Sequence, residues 1–257
     1  MGGFLNAFKR PVREDLVKTF IAKIQEIDKK VLVLDLEGVV GPKLSTLPPG
    51  MEISRKLREY VTGRIGIGIN NSEELDLEFS RLSEKYNTDA LLYALHREYG
   101  LSYQEIIKEV YMPELNKLEQ YLTPDRELRE LLRKTRNLGK RIVLLSNSNS
   151  AVADAMLNGL QLSSMFDEVI TVEKFNSVLR PKPHPGAYGL ALVHTGNIRR
   201  NEEAIYVDDK KENLVAPHNM GITTVLVSGE EVRDDTSYRV NDLASLLRVV
   251  NTVGLLH

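Results

Sequence analysis

Short apolar runs interrupt this chain at intervals and predict the strands of a buried sheet. The runs are Val31–Leu34, Ile142–Leu145, Ala204–Val207 and Thr223–Val227, with Glu168–Val172 as a further candidate. They lack the alternation of apolar and polar residues that marks a strand with one face in water. Such runs are typical of strands that are covered on both faces, as in a parallel sheet.

Helical patterns separate these runs from about residue 123 onward. Thr123–Asp125 offers a cap, a proline at the first helical position and an early acid ahead of leucines at helical spacing. Ser150 is the expected cap of the next helix, and an amphipathic pattern over residues 13–27 predicts a helix on the outside of the core. Because strands alternate with helices, we expect an α/β fold: a parallel sheet with helices on both faces.

Residues 42–121 show no strong strand pattern, only helical stretches. Ser102–Glu105 has the spacing of a capping box, and Gly100 is placed to end the preceding helix. We therefore predict an all-helical cap, residues 42–121, inserted after the first strand of a core formed by residues 1–41 and 122–257. An insertion at this point would lie over the carboxyl end of the sheet as a lid.

Composition excludes several classes of function. The 257 residues carry a net charge of −2 and no cysteine, which excludes disulfides, thiolate catalysis and cysteine-bound metal centres. The weak net charge argues against nucleic acid as a partner, because phosphate neutralisation needs clustered Lys and Arg. No apolar run approaches the roughly 20 residues that span a bilayer, and no secretory signal is apparent. We expect a cytoplasmic protein without membrane contact, either a monomer or a small homo-oligomer.

Acidic residues follow two of the predicted strands. Asp35 comes directly after the first strand, with Glu37 two residues later, and Asp208 and Asp209 follow the run that begins at Ala204. A carboxylate at a strand tip can attack phosphorus, and a second acid nearby can exchange the protons. Three acids brought together would repel one another unless a cation lay among them, and Mg²⁺ prefers such oxygen ligands. Considered singly, each segment is also compatible with an ordinary turn or helix start.

Two further segments could bind phosphate. Ser146 closes the strand that begins near Arg141, and its hydroxyl with a loop N–H at Asn147 would suit a phosphate oxygen, although Ser and Asn also make simple turns. Lys182 lies in a proline-rich loop that could hold its charge beside a carboxylate and a phosphate, or could leave it in solvent. The dinucleotide fingerprint is not met at Gly66–Asn71, which lacks its third glycine.

Taken together, the strand ends resemble the motifs of the haloacid dehalogenase (HAD) superfamily, in the same order along the chain. The residues that carry the resemblance are Asp35–Val39, Leu144–Asn147, Lys182–Pro183 and Tyr206–Asp209 with Asn213. The helical insert and its flanks are most similar to pyrimidine 5′-nucleotidase-like members, at Tyr93–Leu101 and Tyr121–Leu128.

The resemblance implies a Rossmann-like core with an inserted helical cap, and it implies roles for single residues. Asp35 would be the nucleophile, and Lys182 would bridge Asp35 and the phosphate. Ser146 and the amide of Asn147 would hold the phosphate oxygens.

The resemblance also implies a Mg²⁺ site. Asp35, the backbone carbonyl of Glu37 and the Asp208–Asp209 pair would hold the ion, with Asp209 aligned better than Asp208 with the usual ligand. A common ion requires the carboxyl groups of residues 35 and 209 to lie within about 8 Å of each other.

One departure from the family pattern bears on activity, because family phosphatases carry Asp where this chain has Glu37. The extra methylene moves the carboxyl group by roughly 1.5 Å, and misplacement by about 1 Å can cost on the order of 100-fold in rate. We predict a slow or specialised Mg²⁺-dependent phosphatase that hydrolyses a small phosphorylated metabolite through a phosphoaspartate, with a nucleoside 5′-monophosphate as the leading candidate. The alternative is a weak or inactive relative that binds a phosphorylated ligand. Dehalogenase chemistry is disfavoured because that branch of the superfamily works without a metal.

Overall fold

A parallel six-stranded sheet forms the centre of the protein in the computed structural model, which describes residues 30–46, 52–65, 72–195, 201–228 and 238–254. The strand order is β3-β2-β1-β4-β5-β6, and each neighbouring pair is parallel. The strands are β1 (Val31–Leu34), β2 (Arg141–Leu145), β3 (Glu168–Ile170), β4 (Ala204–Asp208), β5 (Thr223–Val227) and β6 (Tyr238–Val240).

The apolar runs predict the sheet well, with two differences at its edges. Every residue of β1, β4 and β5 is buried, as expected for strands covered on both faces. The edge strand β3 ends at Ile170, because a 3₁₀ turn begins at Val172. The other edge strand, β6, was not predicted, since its three residues contain no apolar run.

Helices connect the strands and cover the sheet. The predicted α/β class is therefore confirmed. The helices are α1 (Ile53–Ile65), α2 (Ser72–Tyr86), α3 (Leu91–Tyr99), α4 (Tyr103–Ile106), α5 (Met112–Leu118), α6 (Arg126–Asn137), α7 (Ser150–Gly159), α8 (Pro185–Thr195), α9 (Glu212–Asn219) and α10 (Leu243–Gly254), with a π-helical turn at Ile107–Tyr111 between α4 and α5.

Two of the predicted helix caps are wrong by one or two residues. Asp125, not Thr123, caps α6, because its carboxylate is the group that accepts the N–H of Leu128, at 2.9 Å. Asn149, not Ser150, caps α7, since its side-chain oxygen accepts the N–H of Val152 at 3.1 Å. In both cases an extended Asx residue satisfies a free N–H of the first turn.

The described residues between β1 and β2 form helices joined by turns and loops, with no strand among them. Ser102 accepts the N–H of Glu105 at the start of α4, and Gly100 ends α3 in the left-handed conformation, both as predicted. The boundaries at residues 42 and 121 stay predictions. The helix predicted over 13–27 lies outside the described residues, and among those described no helix combines the length and apolar character needed to cross a membrane.

The order of the strands positions the site. The chain proceeds from β1 outward through β2 to β3, then returns to the other side of β1 to form β4. The strand order therefore reverses between β1 and β4, and ligands of open parallel sheets bind at this crevice, outside the carboxyl ends of the strands. Asp35 follows β1, and Asp208 ends β4, so both lie at this crevice.

Candidate active site

Three acids from distant parts of the chain meet at the carboxyl ends of β1 and β4. One carboxylate oxygen from each of Asp35, Asp208 and Asp209 lies within 4.8 Å of the others. This separation is well inside the limit of about 8 Å for carboxyl groups that share one ion. Lys182 reaches the same point, with its Nζ 2.7 Å from Asp35 Oδ1 and 3.0 Å from Asp208 Oδ2.

Burial governs the electrostatics of the pair formed by Asp35 and Lys182. Burial raises the pKa of Asp35 to about 7, while the ammonium of Lys182 opposes the rise and the charge of Asp208 adds to it. For Lys182 burial acts to lower the pKa, but the carboxylates of Asp208 and Asp35 outweigh it and raise the pKa above its usual range. Lys182 is therefore a permanent cation shared by two acids.

Asp208 is held in place by a full set of hydrogen bonds. Its carboxylate accepts bonds from the hydroxyl of Tyr206, from Asn213 Nδ2 at 3.1 Å and from the backbone N–H of Lys210 at 2.9 Å. Lys182 adds a fourth donor, at 3.0 Å. Because its lone pairs are already engaged, Asp208 acts in this arrangement as the anchor that orients Lys182.

Asp209 has the opposite environment. Its side chain is only 6% exposed, yet within the described part of the chain no group donates a geometrically sound hydrogen bond to either carboxylate oxygen. The ammonium of Lys43 approaches Oδ2 to 2.5 Å as an ion pair. Gly38 makes room for this carboxylate: its φ is +82°, and a Cβ at Gly38 would lie 2.5 Å from Asp209 Oδ2.

These donors fit a hard divalent cation. Buried carboxylate oxygens without hydrogen bonds, beside a second carboxylate, are the ligand type that Mg²⁺ takes. Asp35 and Asp209 are the carboxylates best placed to hold such an ion, with the backbone carbonyl of Glu37 as the further ligand that the family resemblance implies.

Glu37 is tied down by two donors. Its Oε1 accepts the hydroxyl of Ser148 at 2.6 Å, and its Oε2 accepts the backbone N–H of Leu44 at 2.9 Å. The longer side chain thus reaches across to the loop after β2 and to the loop after β1. Glu37 still lines the cleft.

Two of the three residues predicted to bind phosphate, Ser146 and Asn147, directly follow β2, and the third, Lys182, reaches the same cleft from the loop before α8. Ser146 is buried, and its Oγ accepts the N–H of Ser148 at 3.1 Å. The side chain of Asn147 bonds to both backbone groups of Lys182, at 3.1 Å to the N–H and 3.0 Å to the carbonyl oxygen. Asn147 therefore fixes the loop that carries Lys182, a role that the sequence pattern did not reveal.

The cleft has a volume of about 320 Å³ and contains residues that sequence reasoning missed. Asp89, from the loop between α2 and α3, pairs with Lys210 across the cleft and accepts a hydrogen bond from Asn147 at 2.5 Å. Thr88 donates to the carbonyl oxygen of Lys182 at 2.7 Å. Thr88 and Asp89 lie in a turn between two helical patterns, and nothing in the sequence indicated that they contact the cleft.

The residues that line the cleft are Asp35, Glu37, Lys43, Ser45, Asp89, Ser146, Asn147, Ser148, Lys182, Lys210 and Asn213.

Comparison with known protein families assigns the chain to one of them. Residues 73–227, more than half of the chain, match the family model described as haloacid dehalogenase-like hydrolase. The chain belongs to this family. The matched segment includes Ser146, Lys182 and the Asp208–Asp209 pair but begins after Asp35, so the position of Asp35 beside β4 comes from the structure.

Solved structures of the family share the fold at low sequence identity. A HAD phosphatase from Thermococcus onnurineus aligns with a TM-score of 0.56 and 18% identity over 86% of this chain and 97% of that chain. A β-phosphoglucomutase from Clostridium difficile gives 0.54 and 16% over 89% and 99%. The L-2-haloacid dehalogenase from Xanthobacter autotrophicus gives 0.51 and 19% over 86% and 98%. No curated protein sequence matches at a significant level.

Proposed function

We propose that this HAD-family chain is a Mg²⁺-dependent phosphatase that hydrolyses small phosphomonoesters through a phosphoaspartate on Asp35. The observation that carries the proposal is the meeting of Asp35, Lys182 and Asp209 at one buried point. The Lys182 ammonium is 2.7 Å from the Asp35 carboxylate, and the acids lie within 4.8 Å of one another.

Charge compensation explains why these residues suit phosphate chemistry. A phosphate dianion repels a carboxylate nucleophile, so the site must supply positive charge where the two meet. Lys182 supplies one charge, and the hydroxyl of Ser146 offers a hydrogen-bond donor to a phosphate oxygen. A divalent cation held by Asp35 and Asp209 would supply the remaining compensation and polarise the phosphoryl group.

The reaction would take place in two displacements. In the first, a carboxylate oxygen of Asp35 bonds to phosphorus, the bond from phosphorus to the ester oxygen breaks, and the leaving alkoxide takes a proton from Glu37. In the second, Glu37 takes a proton from water as the water oxygen attacks the phosphoaspartate. This step releases inorganic phosphate and restores both carboxyl groups.

The acidic cluster favours phosphate over haloacid substrates. A carboxylate nucleophile that displaces halide from carbon needs no cation. In such a reaction the buried carboxylate of Asp209, which accepts no hydrogen bond from any described residue, would have no role. A cleft of about 320 Å³ with polar lining suits a small phosphorylated metabolite. Within that class, a nucleoside 5′-monophosphate is the leading candidate, on the sequence resemblance of the helical insert to pyrimidine 5′-nucleotidase-like members alone.

Phosphate release from a panel of monophosphates, nucleoside 5′-monophosphates included, tests the proposal. We expect turnover with Mg²⁺, little after chelation, and a loss on the order of 10³-fold or more in Asp35→Asn. The matched control is Asp154→Asn, which changes an exposed aspartate on α7. Equal turnover by the wild type and Asp35→Asn would reject the proposal, and release of halide from haloacids without metal would replace it.

A second candidate, a ligand-binding relative with little or no turnover, is favoured by the contacts of Glu37. Both of its oxygens already accept hydrogen bonds, from Ser148 and from the N–H of Leu44. This candidate predicts that the wild type binds Mg²⁺ and a phosphorylated ligand without hydrolysing it, and that Glu37→Asp gains turnover. Glu173→Asp is the control, because Glu173 also accepts bonds from a serine, Ser150, and is not among the residues that line the cleft.

A further inference from the structure

Lys43 contacts Asp209, the acid of the cluster to which no described residue donates a hydrogen bond. Its Nζ lies 2.5 Å from Asp209 Oδ2, and the two partners differ in exposure, 47% for the lysine side chain and 6% for the aspartate. The carboxylate is buried directly after β4, whereas the lysine reaches it from the solvent side on a flexible stem. The ammonium can therefore leave without any rearrangement of the core.

The other two acids of the cluster do not depend on Lys43. Asp35 and Asp208 share the buried ammonium of Lys182, and Asp208 has further donors in Tyr206 and Asn213. Among the described residues, Lys43 is the cation in contact with Asp209, and the charge of Lys210 acts on the same carboxylate without an ion-pair contact. Removing Lys43 would leave the buried carboxylate without its contacting cation among the described residues, which is unfavourable.

The lack of a side chain at Gly38 leaves the space that Lys43 occupies beside Asp209. A Cβ at Gly38 would lie 3.0 Å from Lys43 Cε as well as 2.5 Å from Asp209 Oδ2. The glycine thus leaves space for the end of the lysine and the carboxylate together. The loop after β1 therefore brings a cation to the same carboxylate group that a metal would need.

We propose that Lys43 is a built-in counter-cation of Asp209 that competes with the divalent cation and so sets the affinity of the site for Mg²⁺. The inference rests on the proposed function, since it concerns the same metal site. Two cations in contact with the same carboxylate group repel each other. Lys43 must therefore withdraw when a divalent ion binds Asp209, and part of the binding energy of the ion is used to displace it.

Calorimetric titration of the full-length protein with Mg²⁺ alone tests this exchange. Lys43→Met removes the charge, and we expect it to raise the association constant about tenfold. Lys43→Arg keeps the charge and should stay within about threefold of the wild type. Lys210→Met is the electrostatic control: it removes a charge at the rim of the cleft, from a lysine paired with Asp89, and should raise the constant by about threefold at most.

Thermal unfolding supplies a second readout. Without metal, Lys43→Met should unfold at a lower temperature than the wild type. Saturating Mg²⁺ should raise its unfolding temperature by more than that of the wild type, because the bound ion also replaces the missing counter-charge.

The outcomes separate this inference from the proposed function. If Lys43→Met binds Mg²⁺ no more tightly than the wild type, or gains no more affinity than Lys210→Met, the role of Lys43 is overturned. The proposed phosphatase function would stand in that case. Failure of Mg²⁺ to bind the wild type and the variants alike would overturn both.

Discussion

Two buried acids, one in the helical insert and one just after the central strand β1, have opposite electrostatics. Glu114 on α5 is buried, and its carboxylate accepts hydrogen bonds from Lys56 at 2.5 Å, Lys117 at 2.9 Å and the backbone N–H of Glu52 at 3.0 Å. The bond from Lys56 is the largest of the effects that lower the pKa of Glu114 to about 2. This acid is fully compensated.

Asp35 is also buried, but its compensation is incomplete. Among the described residues, the cation in contact with Asp35 is Lys182, which Asp208 shares, and burial raises the pKa of Asp35 to about 7. The folded chain thus satisfies the charge of an acid in the insert and leaves the charge at the end of β1 partly unsatisfied. Incomplete compensation in a cleft is typical of a site that binds a charged ligand, whereas complete compensation indicates a structural role.

The largest expected effect comes from Lys182→Met, which would remove the compensation that Asp35 still has. Two buried carboxylates would lose their shared cation, at a cost of about 3–5 kcal/mol in free energy of unfolding at pH 8. The raised pKa of Asp35 should rise further, so protonation relieves the repulsion in acid and the loss should be smaller at pH 5.5. Urea unfolding at both pH values measures the difference.

Lys210→Met is the control for Lys182→Met, because it removes a half-exposed lysine from the same cleft. A loss below about 1 kcal/mol in Lys182→Met at pH 8 would show that Lys182 does not compensate the buried acids.

The contrast between the two acids also shows what the sequence can reveal. The location of Asp35, Ser146 and Asp209 at one edge of the sheet was predictable. Each follows an apolar strand, and parallel strands bring their carboxyl ends to one edge. Glu114 gave no such signal. It lies within a helical stretch, and its burial depends on Lys56, which is 58 positions away along the chain.

The loops around the cleft limit prediction for the same reason. Lys43 and Asp89 come from separate connections, and only the packing of the insert on the sheet brings them to the cleft. Cap positions were wrong by one or two residues because Thr123 and Asp125, or Ser150 and Asn149, are both acceptable caps in sequence. The three-dimensional direction of the chain decides between them.

Glu114→Gln should have a smaller effect, of about 1–2 kcal/mol in free energy of unfolding at pH 7. Because the pKa of Glu114 is lowered, its contribution is present above the ordinary value of 4.5 and is lost as the pH falls toward about 2. The variant should therefore lose less stability than the wild type across that interval. Denaturant unfolding as a function of pH measures both quantities.

Glu130→Gln is the matched control for Glu114→Gln, because Glu130 pairs with Arg133 on the exposed face of α6. The bond from Arg133 also lowers the pKa of Glu130, but solvent screens this exposed pair, so Glu130→Gln should change the acid dependence less than Glu114→Gln. A steeper loss of stability in acid for Glu114→Gln than for the wild type would contradict the assignment of Glu114 as a compensated acid.

We expect the smallest effect at the ion pair of Asp89 and Lys210, because both side chains are partly exposed to solvent. Their side chains are 42% and 47% exposed, so water and salt screen the attraction between insert and sheet. A double-mutant cycle of Asp89→Asn and Lys210→Gln should give a coupling energy of about 0.5 kcal/mol or less, and less still in high salt. A coupling above about 2 kcal/mol would place this pair with Asp35 and Lys182, because only partners withdrawn from water interact so strongly.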